Sequence, residues 1–236
     1  MQLVCLANSR KPGGRCVAGK SVSGGEWIRP ISAREGGEIS DAECRCACGG
    51  EAALLDVIEI PLLRAAPHGH QSENHLIASG RKWTRIGALR WEDLPPLADG
   101  IETLWVTGSS TIHGRNDRVP PDKIAECESS LALIRIREIT FLVDRFGTRF
   151  GNERRSVRAA FRFNERSYNL KLTDPVLEAN LLSRNNGEHD FRLDAFLCIS
   201  LTEPHIDGYC YKLVASVITE KTANKAQQRN DKISCG

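Results

Sequence analysis

The chain has 236 residues, of which 41% are hydrophobic and 26% charged; this excludes extensive disorder and supplies core enough for one large domain or two of about 100 residues each. No stretch approaches the ~20 apolar residues of a membrane span, and the apolar start MQLVCL has no basic leader before it, so a cytoplasmic protein without membrane contact is expected. The formal charge of +2 hides a segregation: residues 1 to 34 set six Lys/Arg against Glu26, residues 145 to 171 set eight against Glu153 and Glu165, and the remainder carries −9. That pattern suits a polyanion-binding face, or two solvated faces with acidic neighbours in space.

In chain order, QLVCL (2 to 6) reads as a first strand, and NSRKPGGRCVAGKSVSGGEWIRP follows as a basic, glycine-rich connection. Gly14 to Ser21 matches the bare G-x-x-x-x-G-K-S pattern, but the strand before it ends eight residues away and SVSGGEWIRP cannot continue as the helix a phosphate loop needs. GGEWIRPIS (24 to 32) is a return strand that Pro30 confines to an edge or bulge. Residues 33 to 53 form a long loop or short helix, and LLDVIEIPLL (54 to 63) is a buried strand ending at Pro61. Residues 64 to 125 are irregular, with a short helix expected near 89 to 98 around Pro95 and Pro96.

A domain boundary is expected in 114 to 128, giving an irregular N-terminal domain over 1 to 120 and a more regular one over 128 to 220. SLALIRIREITFLVD is a long bent or bulged strand, and VRAAFRF and RSYNLKL form a hairpin turning at Asn164. Asp174 caps a short helix that opens on Pro175 and stops at Asn186-Gly187. DAFLCISLTEP and GYCYKLVASVI close the series as two strands, and residues 221 to 236 read as a polar tail. The fold class is mainly β with short helices, a β-rich α+β chain built from small barrels.

SRKPGGRCVAG, WIRPIS, HQSEN, GRNDRV, YNLKLTDP and LCISLTEPHIDGYCYKLVASVI together resemble a bacterial family, the dual OB-containing domain, over residues 2 to 218. The resemblance implies two tandem OB-like barrels and carries no catalytic residues with it. Barrels of this kind bind oligonucleotides or oligosaccharides, and a single strand of nucleic acid needs cations along its backbone and aromatic faces for its bases.

The candidate nucleic-acid contacts are Arg10, Lys11, Arg15 and Lys20 in the first basic block, with Trp27 after them, and Arg154, Arg155, Arg158, Arg162 and Tyr168 in the second. Tyr168, like Phe161 and Phe163, reads as core rather than as a platform, and Trp27 fills a core equally well. The leading expectation is a non-catalytic nucleic-acid-binding protein that prefers single strands. An enzyme or sensor for a nucleotide-like small molecule is the alternative, with His70, Glu73, Asn74, Asn116, Asp117 and Arg118 lining a pocket between the barrels; an adaptor with a protein partner is another. HQSEN and GRNDR are equally good turn and capping sequences, and no catalytic dyad or triad stands out. Nine cysteines, an odd number in a chain this long, read as reduced thiols. Cys44, Cys46 and Cys48 could hold a metal with His68 or His70, but structural zinc prefers wider cysteine spacing, so no metal and no cofactor are expected.

Overall fold

The computed structural model describes residues 1–11, 13–146 and 155–234. The chain divides into two compact units, Met1–Ala98 with Ile218–Gly236 (unit 1) and Asp99–Val217 (unit 2).

In unit 1, β1 (Gln2–Lys11), β2 (Gly14–Ser21) and β3 (Trp27–Ile31) form an antiparallel meander. β4 (Asp56–Glu59) pairs antiparallel with β1, and β5 (Leu62–Ala65) with β6 (Asn74–Ile77), which runs parallel to β3. Only Ile60 and Pro61 separate β4 from β5, so the two act as one bent strand that closes a ring, and β7 (Thr84–Ala88) extends it beside β4. Proline at the bend is apt, since it has no amide to offer a ladder. Leu3, Cys5, Val17, Ile28, Ile58 and Trp83 fill the interior, and the loop over 32 to 55 adds Ile39, Cys44 and Cys46 to it. This loop has no helix. Its apolar residues are too widely separated by Gly, Ser and charged residues to form a helical stripe.

Unit 2 repeats the ring with longer strands. β9 (Leu131–Arg145), β10 (Arg155–Phe163) and β11 (Arg166–Leu172) form the meander, α1 (Pro175–Leu182) follows, and β12 (Gly187–Leu201) returns antiparallel to β9 with a bulge between Arg192 and Ala195. β13 (Cys210–Thr219) lies beside β12 and closes the ring by pairing parallel with β11 at Lys171–Leu213 and Leu172–Val214. The Asp174 carboxylate accepts from the amides of Val176 and Leu177, the cap read from the sequence. Phe141, Val157, Phe161, Tyr168, Leu170 and Leu197 are among the core residues.

Four expectations change, the first being that β3, with Pro30, lies between β2 and β6 rather than at an edge or bulge. The division falls at 98/99 and 217/218 rather than within 114 to 128, because Asp99 is drawn into unit 2: it accepts from the Leu133 amide (2.7 Å) and donates its own amide to Leu133 (2.8 Å). The expected polar tail is a helix, α2 (Glu220–Ser234). Thr219 and Thr222 exchange amide-to-hydroxyl bonds across its first turn (3.2 and 3.3 Å) in the manner of a capping box. Its buried Ala223 and Ala226 fall three apart on one face, and Arg85 Nη2 and Gln227 Nε2 donate to Ala226 O and Ala88 O, fixing the helix to unit 1. The helix expected near 89 to 98 is two 3-10 turns, Trp91–Asp93 and Pro95–Leu97, since consecutive prolines withhold the amides an α-helix would need. Among the described residues, no helix is long and apolar enough to cross a membrane.

Candidate nucleic-acid interface

An OB ring presents ligands to the outer face of its second and third strands and to the loops joining strands one to two and four to five. In unit 2 these are β10 and β11, the connection opened by Phe146, and residues 202 to 209. Residues 147 to 154 are not described, so Arg154 lies outside the description.

The ring of unit 2 is not closed by its own strands along its whole length. Beyond the short β11–β13 pairing, the segment containing GRNDRV wedges into the seam. Arg115 and Asn169 of β11 exchange backbone bonds on one side (3.2 and 3.0 Å), while β8 (Arg118–Val119) pairs with Tyr211 and Cys210 of β13 on the other. Asp117, 3% exposed, holds the wedge in place. Its carboxylate accepts from Arg158 Nη2 (2.7 Å), from Thr111 Oγ1 (2.6 Å) and from the Thr111 amide (2.7 Å), and its backbone carbonyl accepts from the Lys212 amide (2.9 Å). A Cβ on Gly114 would fall 1.7 Å from Asp117 Oδ2, so this approach requires glycine. Asn116 occupies a left-handed backbone (φ 51°), which Asn tolerates, and its side chain bonds the Gly108 amide and the Ser167 carbonyl.

Cations and aromatic rings lie around this wedge and the strands and loops beside it. His113 meets Phe146 edge-on (5.5 Å between centroids), and Arg158 lies 6.0 Å from the Phe146 ring. Arg115 is exposed at the β11 edge. The Arg118 guanidinium stacks on Tyr209 at 4.1 Å while its Nε donates to Ser109 Oγ (3.0 Å). His205 meets Tyr211 edge-on (5.7 Å), and the Tyr211 hydroxyl donates to Asp207. Arg162 and Lys171 stand exposed on the same outer side of β10 and β11, as the alternation with core residues Phe161 and Leu170 dictates.

Several candidate residues take other roles. Tyr168 is 1% exposed, stacks on Phe161 in the core and accepts from the Leu104 amide, so it offers no face to a base. Arg158 is 9% exposed and paired with Asp117; burial draws its guanidinium below its ordinary pKa despite that partner. Arg155 donates to Leu182 O (2.9 Å), Arg184 O (2.6 Å) and Asn186 Oδ1 (2.8 Å), capping the end of α1. In unit 1, Arg15 is neutralised by Asp41 and Glu51, and Lys20 is buried 5.2 Å from the Trp27 ring. Lys11 donates to Gly36 O, and it and Arg10 remain exposed at the end of β1. Gly14 to Ser21 is β2, whose amides serve the sheet rather than a phosphate.

The six residues considered for a small-molecule pocket separate by unit: His70, Glu73 and Asn74 belong to unit 1, and Asn116, Asp117 and Arg118 to unit 2. Cys44 and Cys46 are core residues whose thiols burial pushes up to about 11, while Cys48 is exposed. No three His, Cys, Asp or Glu side chains among the described residues converge as metal ligands. His113, Arg115, Phe146, His205 and Tyr209 were not anticipated. Nothing local marks them, because the wedge that assembles them is a long-range pairing.

Two closed rings of this connectivity define an OB-fold protein. The chain matches the model of the dual OB-containing domain over residues 1–217 and belongs to that family. No curated protein and no solved structure matches the chain.

Proposed function

We propose that the protein binds single-stranded nucleic acid through unit 2, along the outer face of β10 and β11 and the wedge at 113 to 118. The observation that carries this reading is the Arg118–Tyr209 stack, a cation and an aromatic plane set beside exposed Arg115 on the side where OB rings take their ligands. Backbone phosphates meet Arg115, Arg162 and Lys171, while Phe146, His113 and Tyr209 supply planar surfaces for bases. A duplex keeps its bases stacked inside and leaves those planes unused.

Fluorescence anisotropy with labelled single-stranded DNA, single-stranded RNA and duplex DNA over a salt series tests this. Binding to single strands weakens as salt rises, because phosphate contacts release counterions. Tyr209→Ala weakens binding by about 1–3 kcal/mol, the scale of one lost base stack. Absence of binding at low salt, or affinity indifferent to salt, sinks the reading.

A further inference from the structure

Unit 1 holds a polar cluster that owes nothing to the strip on unit 2. Ile28 of β3 and Ile77 of β6 point into the core, so by alternation Arg29 and Asn74 face the outer side, where parallel register sets them opposite one another. The loop over 66 to 73 joins the last two strands of this ring, a position OB rings use for ligands. Arg29, His70, Gln71, Glu73 and Asn74 are 5%, 7%, 7%, 4% and 3% exposed.

Polar groups so deeply buried are ordinarily satisfied, and much of this cluster is. Arg29 Nη2 lies 3.3 Å from Glu73 Oε1, the Arg29 amide donates to Glu73 O (2.8 Å), and Asn74 Nδ2 donates to Gln71 Oε1 (3.0 Å). Two atoms on the adjoining strands have no hydrogen-bond partner: Arg29 Nε, a donor, and Asn74 Oδ1, an acceptor. An unmatched donor beside an unmatched acceptor is complementary to a group presenting the reverse pair along one edge. The charge on Arg29 is already met by Glu73, so the site favours a neutral edge over a phosphate. Trp27, half-buried two residues before Arg29 on the same side of β3, adds a plane to the edge.

We propose that Arg29 Nε and Asn74 Oδ1 read the hydrogen-bonding edge of a nucleobase, making unit 1 a site for a free nucleoside or an unstacked base. A bridging water could serve the same two atoms, and the experiment separates the two.

The full chain is titrated with adenosine, guanosine, cytidine and uridine, following the Arg29 Nε–H resonance by NMR, with affinity by calorimetry. At least one nucleoside moves that resonance in a saturable way. Asn74→Leu, which removes the acceptor, weakens its binding by about tenfold or more. The resonance belongs to Arg29 in unit 1, so its response is read separately from any binding at the single-strand strip, and Val176→Ser, at an exposed position of α1, leaves it unchanged. If none of the four nucleosides moves the Arg29 resonance in the wild-type protein, a water fills the site and the proposal is overturned. Wild-type affinity in a folded Asn74→Leu protein overturns it equally, and the wild-type titration decides the matter alone should that variant fail to fold.

Discussion

Unit 1 and unit 2 close the same five-stranded ring, yet they treat the cations on their outer faces differently. In unit 1, Lys20 and Arg29 on β2 and β3 are buried, and Arg29 is matched to Glu73 within its own ring. In unit 2, the one deeply buried arginine of the equivalent strands, Arg158, spends its charge on Asp117 and so fixes the wedge, while Arg162, Lys171, Arg115 and Arg118 stay at or near the surface. The lesson is that a basic block in sequence gives a number of charges and not their availability. A carboxylate delivered by a distant segment decides whether an arginine faces a ligand or holds a loop.

Removing Asp117 tests that division most severely. Asp117→Ala leaves the Arg158 guanidinium buried without a counter-charge, a change that costs about 3–5 kcal/mol. Hydrogen exchange on the variant loses protection in β10, β11 and β13, while β1 to β3 keep theirs. Single-strand binding falls with it, since Arg115 and Arg118 lose the anchor between them. Equal loss of protection in both units would break the comparison by showing that they do not respond separately.

Lys212 sharpens the contrast from another side. Where the buried Arg29 and Arg158 have carboxylates, Lys212 is 1% exposed and its ammonium donates to the Val106 carbonyl (2.6 Å), with burial pulling its pKa down to about 8. Between pH 8 and 10.5 the unfolded chain binds more protons at this residue than the folded one, so its contribution to stability rises with pH across that window. Below pH 8 the fold bears the full burden of the buried charge. Lys212→Met is therefore most favoured relative to wild type at neutral pH, and this advantage shrinks by about 3 kcal/mol as pH climbs to 10.5. The buried thiols of Cys44, Cys46 and Cys210, pushed up to about 11, act in the opposite sense but are common to both proteins and cancel in the difference. Urea titrations at several pH values measure it, and a flat difference would remove Lys212 from the argument.

Much of unit 2 was legible in its sequence, because its determinants are local. Strict alternation around Asn164 marked the hairpin, and Asp174 with Pro175 marked α1. Unit 1 was harder to read, since the bent strand at Pro61 and the cysteine-bearing loop take their meaning from the closure of the ring. The helix α2 was missed because Thr219-x-x-Thr222 is an uncommon form of capping box and, among its described side chains, the buried ones are two alanines. The proposed interface was legible as excess positive charge and little more. Arg155, Arg158 and Tyr168 satisfy the expected composition of a nucleic-acid strip, and only their partners at Leu182, Asp117 and Phe161 show them to be structural.

Arg155 gives the mildest test and the cleanest one. If it caps α1, Arg155→Ala removes three hydrogen bonds to the helix end and costs about 1–2 kcal/mol, the net effect being reduced because the freed carbonyls are reached by water. Affinity for single-stranded DNA and its dependence on salt then stay at wild-type values, whereas loss of a phosphate contact would lower the salt slope by about one unit. The same substitution at Arg162, exposed on the outer side of β10, gives the reverse pair of results: unchanged stability and a shallower slope. Two arginines seven residues apart on one strand are thereby separated by function through where their side chains end.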